Sequence, residues 1–143
     1  MEYSIKEVAK IIGAKGNELH DDAITILLTD SRTVSFPEQS LFFALKTKTN
    51  DGHKYIPELY KLRVRNFVVS EMAPEFANLT DANFLLVKDP LRALQQLAIH
   101  HRKKFDIPVI GITGSNGKTI VKEFLYQLLH TEFNIVRSPR SFN

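Results

Sequence analysis

Residues 111–119 decide the fold of this chain, and they read Gly111-Ile112-Thr113-Gly114-Ser115-Asn116-Gly117-Lys118-Thr119. The apolar run Ile107–Thr113 leads into them and predicts a strand buried on both faces. Lys118–His130 follows and predicts a helix, with one apolar stripe formed by Val121, Phe124, Leu125, Leu128 and Leu129. A strand, a glycine-rich turn and a helix in this order are typical of a phosphate-binding loop, in which backbone N–H groups and the helix N-terminus face phosphate oxygens.

The spacing of the glycines narrows the type of loop. The common phosphate-binding loop has glycine where Ile112 stands here, so a P-loop kinase or GTPase is disfavoured. A dinucleotide-binding turn is disfavoured as well, because Lys118 and Thr119 follow the last glycine. In a nucleotide site Lys118 would reach the β- and γ-phosphates, and the Thr119 hydroxyl would ligate Mg²⁺. A glycine-rich turn without a ligand is the alternative.

The chain ahead of this loop predicts a small α/β unit. Ser4 and Glu7 form the pattern of a capping box, and Gly13 is a plausible helix end. The apolar positions between them share one helical face: Ile5, Val8, Ala9 and Ile12. Four predicted strands and one short helix follow: Ala23–Thr29, Leu41–Leu45, the helix Tyr55–Leu62, Phe67–Ser70 and Phe84–Val87. This first part is expected to end near Lys88.

A second part is expected to begin with a helix. Asp89 is a typical N-cap and Pro90 a typical first helical residue. Its predicted buried positions are Leu91, Leu94, Leu97, Ala98 and His101. Beyond the loop and its helix, Phe133–Val136 predicts another strand. Because a βαβ unit with two strands cannot build a two-sided parallel sheet, we expect the chain to be a truncated piece of a longer protein.

Composition excludes several classes of protein. The 143 residues carry 19 Lys+Arg against 16 Asp+Glu, a net charge of +3, and contain no cysteine. Disulfide frameworks and thiolate metal sites are therefore excluded. No apolar run is long enough for a membrane span, and the N-terminus does not resemble a signal peptide, so we expect a cytoplasmic protein. The basic run His100–Lys104 lacks interleaved aromatic residues, and a helix C-terminus explains it, so no nucleic-acid partner is expected.

A second group of candidate residues lies in the first part of the chain. Arg32 could bind a diphosphate through its fork of donors, or form a surface ion pair with Asp30 or Glu38. Ser31 and the turn Asn50-Asp51-Gly52 could bind a uracil edge, although turn chemistry alone explains the Asp and the Gly. His53 is interpreted as a residue at a helix start, since the sequence places no carboxylate to orient it as a base.

The loop Thr113–Thr119 resembles the ATP-binding loop of the Mur ligase family and its folylpolyglutamate synthetase relatives. Gly117-Lys118-Thr119 with Val121-Lys122-Glu123 is most similar to the MurF type. Four further stretches resemble that type: Thr29-Asp30-Ser31-Arg32, Leu41–Leu45, Asp51-Gly52-His53 with Tyr55-Ile56, and Ser141-Phe142-Asn143, where Asn143 matches the first Asn of a family loop. Thr47 departs from the family, which has glycine there, and Ile120 replaces a second threonine. The amino-acid sequence of residues 138–143 also resembles that of MurF-type ligases fused to an alanine racemase.

The resemblance implies an α/β fold, with a small mixed α/β amino-terminal UDP-substrate-binding domain at 1–88. The start of a P-loop, doubly wound ATP-binding domain would occupy 89–143. It implies an ATP- and Mg²⁺-dependent ligase that joins D-alanyl-D-alanine to UDP-N-acetylmuramoyl-tripeptide through an acyl phosphate, acting as a monomer. The implied ATP-binding residues are Thr113, Gly114, Ser115, Asn116, Gly117, Lys118 and Thr119, of which Lys118 and Thr119 are catalytic and Thr119 is the Mg²⁺ ligand. The implied substrate-binding residues are Ser31, Arg32, Asn50, Asp51, Gly52, His53 and Asn143.

Two alternatives to this function stay open. One is a MurE-type ligase, which adds an amino acid instead of the dipeptide. The other is a nucleotide-binding module without chemistry of its own. The 143 residues alone are expected to have no ligase activity and only weak nucleotide binding.

Overall fold

The computed structural model describes residues 2–17 and 20–138. Contacts divide the chain into two compact units, Met1–Phe105 and Asp106–Asn143. The first unit contains seven strands and three helices among its described residues: β1 Tyr3–Ser4, α1 Ile5–Ile12, β2 Lys15–Asn17, β3 Ala23–Ile24, β4 Ile26–Leu28, β5 Ser40–Phe43, α2 Ile56–Lys61, β6 Asn66–Val69, β7 Asn83–Leu86 and α3 Pro90–Arg102. The described part of the second unit contains one helix, α4 Lys118–Leu129.

A five-stranded sheet in the order β2-β7-β6-β5-β4 organises the first unit. β4, β5, β6 and β7 are parallel, and β2 is antiparallel to β7. The predicted mixed α/β class of the first part of the chain is confirmed. Because the four parallel strands run the same way, the loops that follow them meet at one edge of the sheet, which we call the carboxyl edge.

Helices cover both faces of this sheet. Alternate residues of a strand point to opposite faces, so Phe43 and Val68 pack with α1 and α3, whereas Phe42 and Phe67 pack with α2. β5 and β6 are buried at every position. Strands that are apolar on both faces are typical of a parallel sheet covered on both sides.

The first helix confirms its sequence pattern in detail. Ser4 Oγ accepts from the Glu7 N–H at 3.2 Å, and the Ser4 N–H donates to Glu7 Oε2 at 2.8 Å, which completes the capping box. Gly13 ends α1 with φ +62°, a conformation that favours glycine.

The helix α3 changes the expected division of the chain. Ala93 and Leu97 are buried in the cluster that also contains Val8 of α1. α3 therefore packs within the first unit, and the boundary between the units follows Phe105 instead of Lys88. Asp89 is the predicted N-cap: Oδ1 accepts from the Leu91 N–H at 2.9 Å and the Arg92 N–H at 3.2 Å.

Part of the buried face predicted for α3 is wrong. Leu97 is buried and Leu94 half-buried, but Leu91 is 50% exposed and Ala98 is exposed. Ala93 takes a buried position instead, because α1 approaches α3 on the side of Ala93 and Leu97.

The strand predicted over Ala23–Thr29 is two strands in two sheets. β3 pairs with β1, whereas β4 pairs with β5, and the break falls at Thr25. The Thr25 N–H donates to the Gln39 carbonyl at 3.0 Å, and its hydroxyl donates to Gln39 Oε1 at 2.8 Å. These bonds hold the chain where it passes from one sheet to the other.

Side-chain amides join the amino ends of β6 and β7. Asn83 Nδ2 donates to Asn66 Oδ1 at 2.7 Å, and Asn66 Nδ2 donates to Asp22 Oδ2 at 3.1 Å. Asn83 also accepts from the His20 N–H at 3.1 Å and donates to the His20 carbonyl at 3.0 Å. Both Asn side chains are fully buried, so these bonds offset the cost of removing the amides from water.

The second unit confirms the predicted helix but not the predicted strands. α4 forms as expected, whereas Ile107–Thr113 and Phe133–Val136 are irregular. Val109 is 68% exposed and Val136 97% exposed, so the expectation of a strand buried on both faces is wrong here. A strand needs a neighbour for its N–H and C=O groups, and the described residues of this unit supply none.

Candidate functional site

The predicted phosphate-binding loop forms a curled turn ahead of α4. Gly114 has φ +144° and Gly117 has φ +78°, both in the region that disfavours residues with a Cβ. Gly117 is also the N-cap of α4, and no side chain caps this helix end. The glycines therefore leave the first N–H groups of a 12-residue helix next to an open loop.

The Lys118 side chain turns back over this loop. Its ammonium nitrogen donates to the Gly114 carbonyl at 2.7 Å and lies 3.5 Å from the Ser115 carbonyl. A concavity of about 260 Å³ lies beside it, lined by Ser115, Asn116, Gly117, Lys118, Thr119 and Ile120. A cation, a helix N-terminus and close backbone approach are the features that suit a phosphate group.

At the carboxyl edge of the first unit, the structure brings together most of the other predicted residues. Ser31 and Arg32 follow β4, and the segment Asn50–His53 lies in the loop after β5. β4 and β5 are neighbouring parallel strands, so both segments lie at the same end of the sheet. Asn143 lies outside the described residues.

Arg32 forms the ion pair that was the alternative to a ligand contact. Its Nε donates to Asp30 Oδ1 at 2.9 Å and its Nη2 to Asp30 Oδ2 at 2.6 Å. These side-chain hydrogen bonds lower the pKa of Asp30 to about 2. The Arg32 side chain is 86% exposed, so the guanidinium stays accessible from the solvent.

Tyr55 also lies at this edge; the sequence analysis placed it in a helix and in a stretch that resembles the family, but not among the substrate-binding residues. Its hydroxyl donates to Asn50 Oδ1 at 3.1 Å. The pKa of Arg32 is raised, chiefly by the hydrogen bond to Asp30 and slightly by Tyr55. Tyr55 thus stands between the loop after β5 and the arginine after β4. The signal in the sequence was an aromatic residue two positions after His53.

His53 lies at a helix start as interpreted, in the 3-10 turn Gly52–Tyr55 that leads into α2, but the premise that no carboxylate is placed to orient its ring is wrong. Asp51 Oδ1 lies 2.6 Å from His53 Nδ1 and also accepts from the His53 N–H at 3.0 Å. The Ser70 N–H donates to His53 Nε2 at 3.0 Å. The backbone bond from residue 53 to residue 51 is an Asx turn, a pattern that Asp51 predicts locally; the contact with Ser70 is distant in sequence and was missed.

Lys46 neutralises the carboxylates around His53. Its ammonium lies 3.1 Å from Asp51 Oδ2 and 3.4 Å from Glu71 Oε1. Partial burial alone would raise the pKa of Asp51, but hydrogen bonds from His53 and Lys46 outweigh it and lower this pKa to about 2. Asp51, His53 and Glu71 place ligand atoms within 4.8 Å of one another, as a metal site would. The Lys46 ammonium already supplies the positive charge there.

Gly52 is required by close packing at this edge. A Cβ at residue 52 would lie 2.8 Å from the Leu45 nitrogen and 2.9 Å from the Ala44 Cα. The Gly52 N–H donates to the Leu45 carbonyl at 2.8 Å. Thr47, where the family has glycine, accepts through its hydroxyl from the Asn50 N–H at 3.0 Å and so holds the turn.

No family model matches the chain, but curated proteins and solved structures are similar to it in sequence and in fold. A UDP-N-acetylmuramoyl-tripeptide–D-alanyl-D-alanine ligase of Bacillus subtilis is 29% identical over 142 residues, which are 98% of this chain and 30% of that protein. The ligase of the same name from Synechocystis is 36% identical over 127 residues, 89% of this chain and 27% of that protein. In sequence and in fold the chain is similar to part of these ligases, as an amino-terminal fragment of a Mur ligase would be.

Solved Mur ligase structures share the fold. A crystal structure of MurF from Acinetobacter baumannii covers 92% of this chain with a TM-score of 0.79 at 24% identity, and 28% of that structure is matched. A MurF structure from Thermotoga maritima in complex with ADP covers 82% of this chain, and 26% of its own length is matched, with a TM-score of 0.65 at 29% identity. The chain spans less than a third of the length of these Mur ligases.

No helix in the described part of the chain is long and apolar enough to cross a membrane.

Proposed function

We propose that the protein containing this chain is an ATP-dependent ligase that joins D-alanyl-D-alanine to UDP-N-acetylmuramoyl-tripeptide. The names of the similar proteins support this reaction, and the observation that carries it is the loop geometry at Lys118. In this proposal the first unit holds the UDP part of the substrate, and the second begins the ATP site. A MurE-type ligase is the second candidate, because a 2,6-diaminopimelate ligase of Clostridioides difficile is 35% identical over 130 residues.

The ATP site is proposed to use residues 113–119. Backbone N–H groups from Thr113 to Gly117 would bind phosphate oxygens, and the Lys118 ammonium would exchange the Gly114 carbonyl for the terminal phosphates. The Thr119 hydroxyl, at the second position of α4, would hold Mg²⁺. The bound Mg²⁺ would neutralise charge on the phosphates. The positive φ values of Gly114 and Gly117 fit this role because glycine adopts them without strain and adds no side chain at these two positions.

The UDP site is proposed to lie at the carboxyl edge. Arg32 would exchange Asp30 for the diphosphate, to which its planar fork is suited. Ser31, Asn50, Asp51 and Gly52 would bind the uridine, and His53 belongs to the same segment. Asn143, which lies outside the described residues, is kept as a proposed substrate-binding residue on its match to the family loop alone. Binding energy at UDP, remote from the reacting carboxylate, would help to orient the substrate.

We also propose a cytoplasmic monomer without a nucleic-acid or membrane partner. The reaction needs only small, soluble substrates, and the basic end of α3 is occupied within the first unit. Tyr3 Oη lies 3.1 Å from His101 Nδ1, and the Lys104 ammonium lies 4.0 Å from the centre of the Tyr3 ring.

An activity assay on the full-length protein tests the proposal. With ATP, Mg²⁺ and UDP-N-acetylmuramoyl-tripeptide, we expect phosphate release that depends on D-alanyl-D-alanine. Phosphate release that depends instead on 2,6-diaminopimelate and UDP-N-acetylmuramoyl-L-alanyl-D-glutamate would establish the MurE type. Lys118→Ala should lower turnover at least ~100-fold through lost charge stabilisation. Lys122→Ala is the matched control, since Lys122 binds the Ser138 carbonyl at 3.0 Å and lies outside the loop.

A further inference from the structure

His53 has both ring nitrogens bonded inside the protein. Nε2 accepts from the Ser70 N–H at 3.0 Å, so the neutral ring carries its proton on Nδ1 and donates it to Asp51 Oδ1 at 2.6 Å. The side chain is 8% exposed. Neither ring nitrogen is therefore left to hydrogen-bond a ligand while these two bonds are in place.

The bonds of His53 connect two loops that the sheet does not join. Asp51 belongs to the loop after β5, and Ser70 follows β6. Next to the strand, the Ala44 N–H donates to the Val68 carbonyl of β6 at 2.9 Å and continues the pairing of β5 with β6. Farther along the loop, Gly52 bonds to Leu45 and Thr47 to Asn50, within the same segment. The further link to the segment after β6 joins Lys46 and Glu71 at 3.4 Å between exposed side chains. Exposed ion pairs hold a loop weakly, whereas a buried hydrogen bond holds it firmly.

We propose that His53 is a positioning residue of the substrate site, acting through Asp51 and Gly52 without touching the ligand. It fixes the loop after β5 against the end of β6, so that Asn50 and Asp51 are held in one conformation before a uridine nucleotide binds. The inference rests on the proposed function, because that function assigns the nucleotide to this loop. A loop held in its binding conformation saves the ordering cost at the moment of binding.

Titration of the 143-residue chain with UDP tests this role. His53→Ala should weaken UDP binding about tenfold, the effect of about one positioned hydrogen bond. His53→Gln can place its amide oxygen near the position of Nε2 and should restore the affinity to within about threefold, whereas His53→Asn, which keeps only the bond to Asp51, should resemble His53→Ala. Equal UDP affinity of His53→Ala and the wild type would overturn the proposal, as would equal rescue by Asn and Gln.

Two controls separate positioning from general destabilisation. Ser70→Ala keeps the backbone N–H that donates to Nε2 and removes only the hydroxyl, whose oxygen lies 3.3 Å from Nε2, so it should lower UDP affinity less than His53→Ala does. Val8→Ala removes buried volume on the opposite face of the sheet and should lower stability without changing the UDP affinity of the folded chain. Loss of UDP affinity in Val8→Ala at temperatures where the variant is folded would count against the role of His53.

NMR on the wild type distinguishes a failure of the positioning role of His53 from a failure of the proposed UDP site. Long-range ¹⁵N spectra should show the His53 ring protonated on Nδ1, and a ring protonated on Nε2 would overturn the positioning role. If the wild-type chain fails to bind UDP, the proposed function of this unit fails. The positioning role is then decided by amide exchange at Gly52, which should be faster in His53→Ala than in Ser70→Ala; equal exchange rates would overturn it.

Discussion

The two units have similar apolar patterns but bury them very differently. In the first unit, the side chains of β5 and β6 are at most 1% exposed. In the second, none of the described residues from 106 to 138 is buried, and Phe124 and Leu128 on α4 are 60% and 71% exposed. An apolar stripe produces a core only where a second layer covers it, and the sheet with its helices supplies that layer in the first unit.

The loop at Lys118 shows that local geometry does not need this layer. Gly114, Gly117 and Lys118 form their turn although the apolar segment before them is irregular. Glycine conformations and a contact over four residues are set within the loop itself. A strand, in contrast, needs hydrogen bonds from a neighbour that is distant in sequence.

Removing one aromatic ring from each unit gives the largest expected contrast. Phe67 is fully buried and stacks on Phe84, with 5.4 Å between ring centroids. Phe67→Ala should lower the free energy of unfolding by about 3–5 kcal/mol. Phe124→Ala on α4 should change it by less than about 0.5 kcal/mol. Urea unfolding followed by circular dichroism measures both, and similar losses would mean that α4 is packed in solution.

Adding one methyl group contrasts the loops of the two units. Gly52→Ala would press a Cβ against the backbone of residues 44 and 45, and should cost about 1–3 kcal/mol. Gly111→Ala meets no atom within 4 Å and should be close to neutral in the same unfolding measurement. A neutral Gly52→Ala would show that the loop after β5 can move away from its strand.

The cap of α3 tests where the first unit ends. Asp89→Ala removes two hydrogen bonds to the helix N-terminus and should destabilise the first unit by about 1 kcal/mol. Thermal unfolding followed by amide signals of β6 reports on this unit specifically. Asp106→Ala, beyond the boundary, is the control and should leave those signals unchanged. An Asp89→Ala variant that left β6 as stable as before would move α3 out of the first unit.

The smallest expected effect is a pH dependence at Asp51. Its pKa in the folded chain, about 2, is below the ordinary value of 3.8, so its ionised form adds stability that is present above about pH 4. That contribution is lost as the pH falls through about 2, and it stays below about 1 kcal/mol because the carboxylate is partly exposed. The stability difference between wild type and Asp51→Asn should therefore shrink between pH 5 and pH 2, approximate limits set by the two pKa values.

The Lys46 side chain offers a check on the cause of this pH dependence. Lys46→Ala removes one of the groups that lower the pKa of Asp51, so the stability contribution should disappear at a higher pH than in the wild type. An unchanged profile would assign the whole effect to His53.

Short-range patterns predicted the parts of the fold that depend on them. The capping box at Ser4, the N-cap Asp89 and the apolar stripe of α4 each predicted a helix that is present. The two-residue β1 and the three-residue β2 were not predicted. In β2, Lys15-Gly16-Asn17 has no apolar alternation, and only its pairing with β7 makes it a strand. The prediction of strands on either side of the phosphate-binding loop was wrong, because a continuous apolar run does not specify a neighbouring strand to pair with.

The candidate site was predictable to a similar extent. Turn residues indicated the loop at Asn50-Asp51-Gly52, but its place at the same end of the sheet as Arg32 follows from the parallel pairing of β4 and β5. The contact between His53 and Ser70 spans 17 residues and depends on the register of β5 against β6, which the sequence alone did not specify.

The amide pair Asn66–Asn83 stands at the end of the sheet opposite to the loops that carry Arg32 and Asp51. The register of β6 against β7 is therefore held at the amino ends of the strands. The carboxyl edge carries the loops, which differ from one another in length and in side chains. Exchanging the loops at the carboxyl edge should therefore leave the alignment of β6 and β7 unchanged. The sheet would then keep its strand register whichever loops it carries at the carboxyl edge.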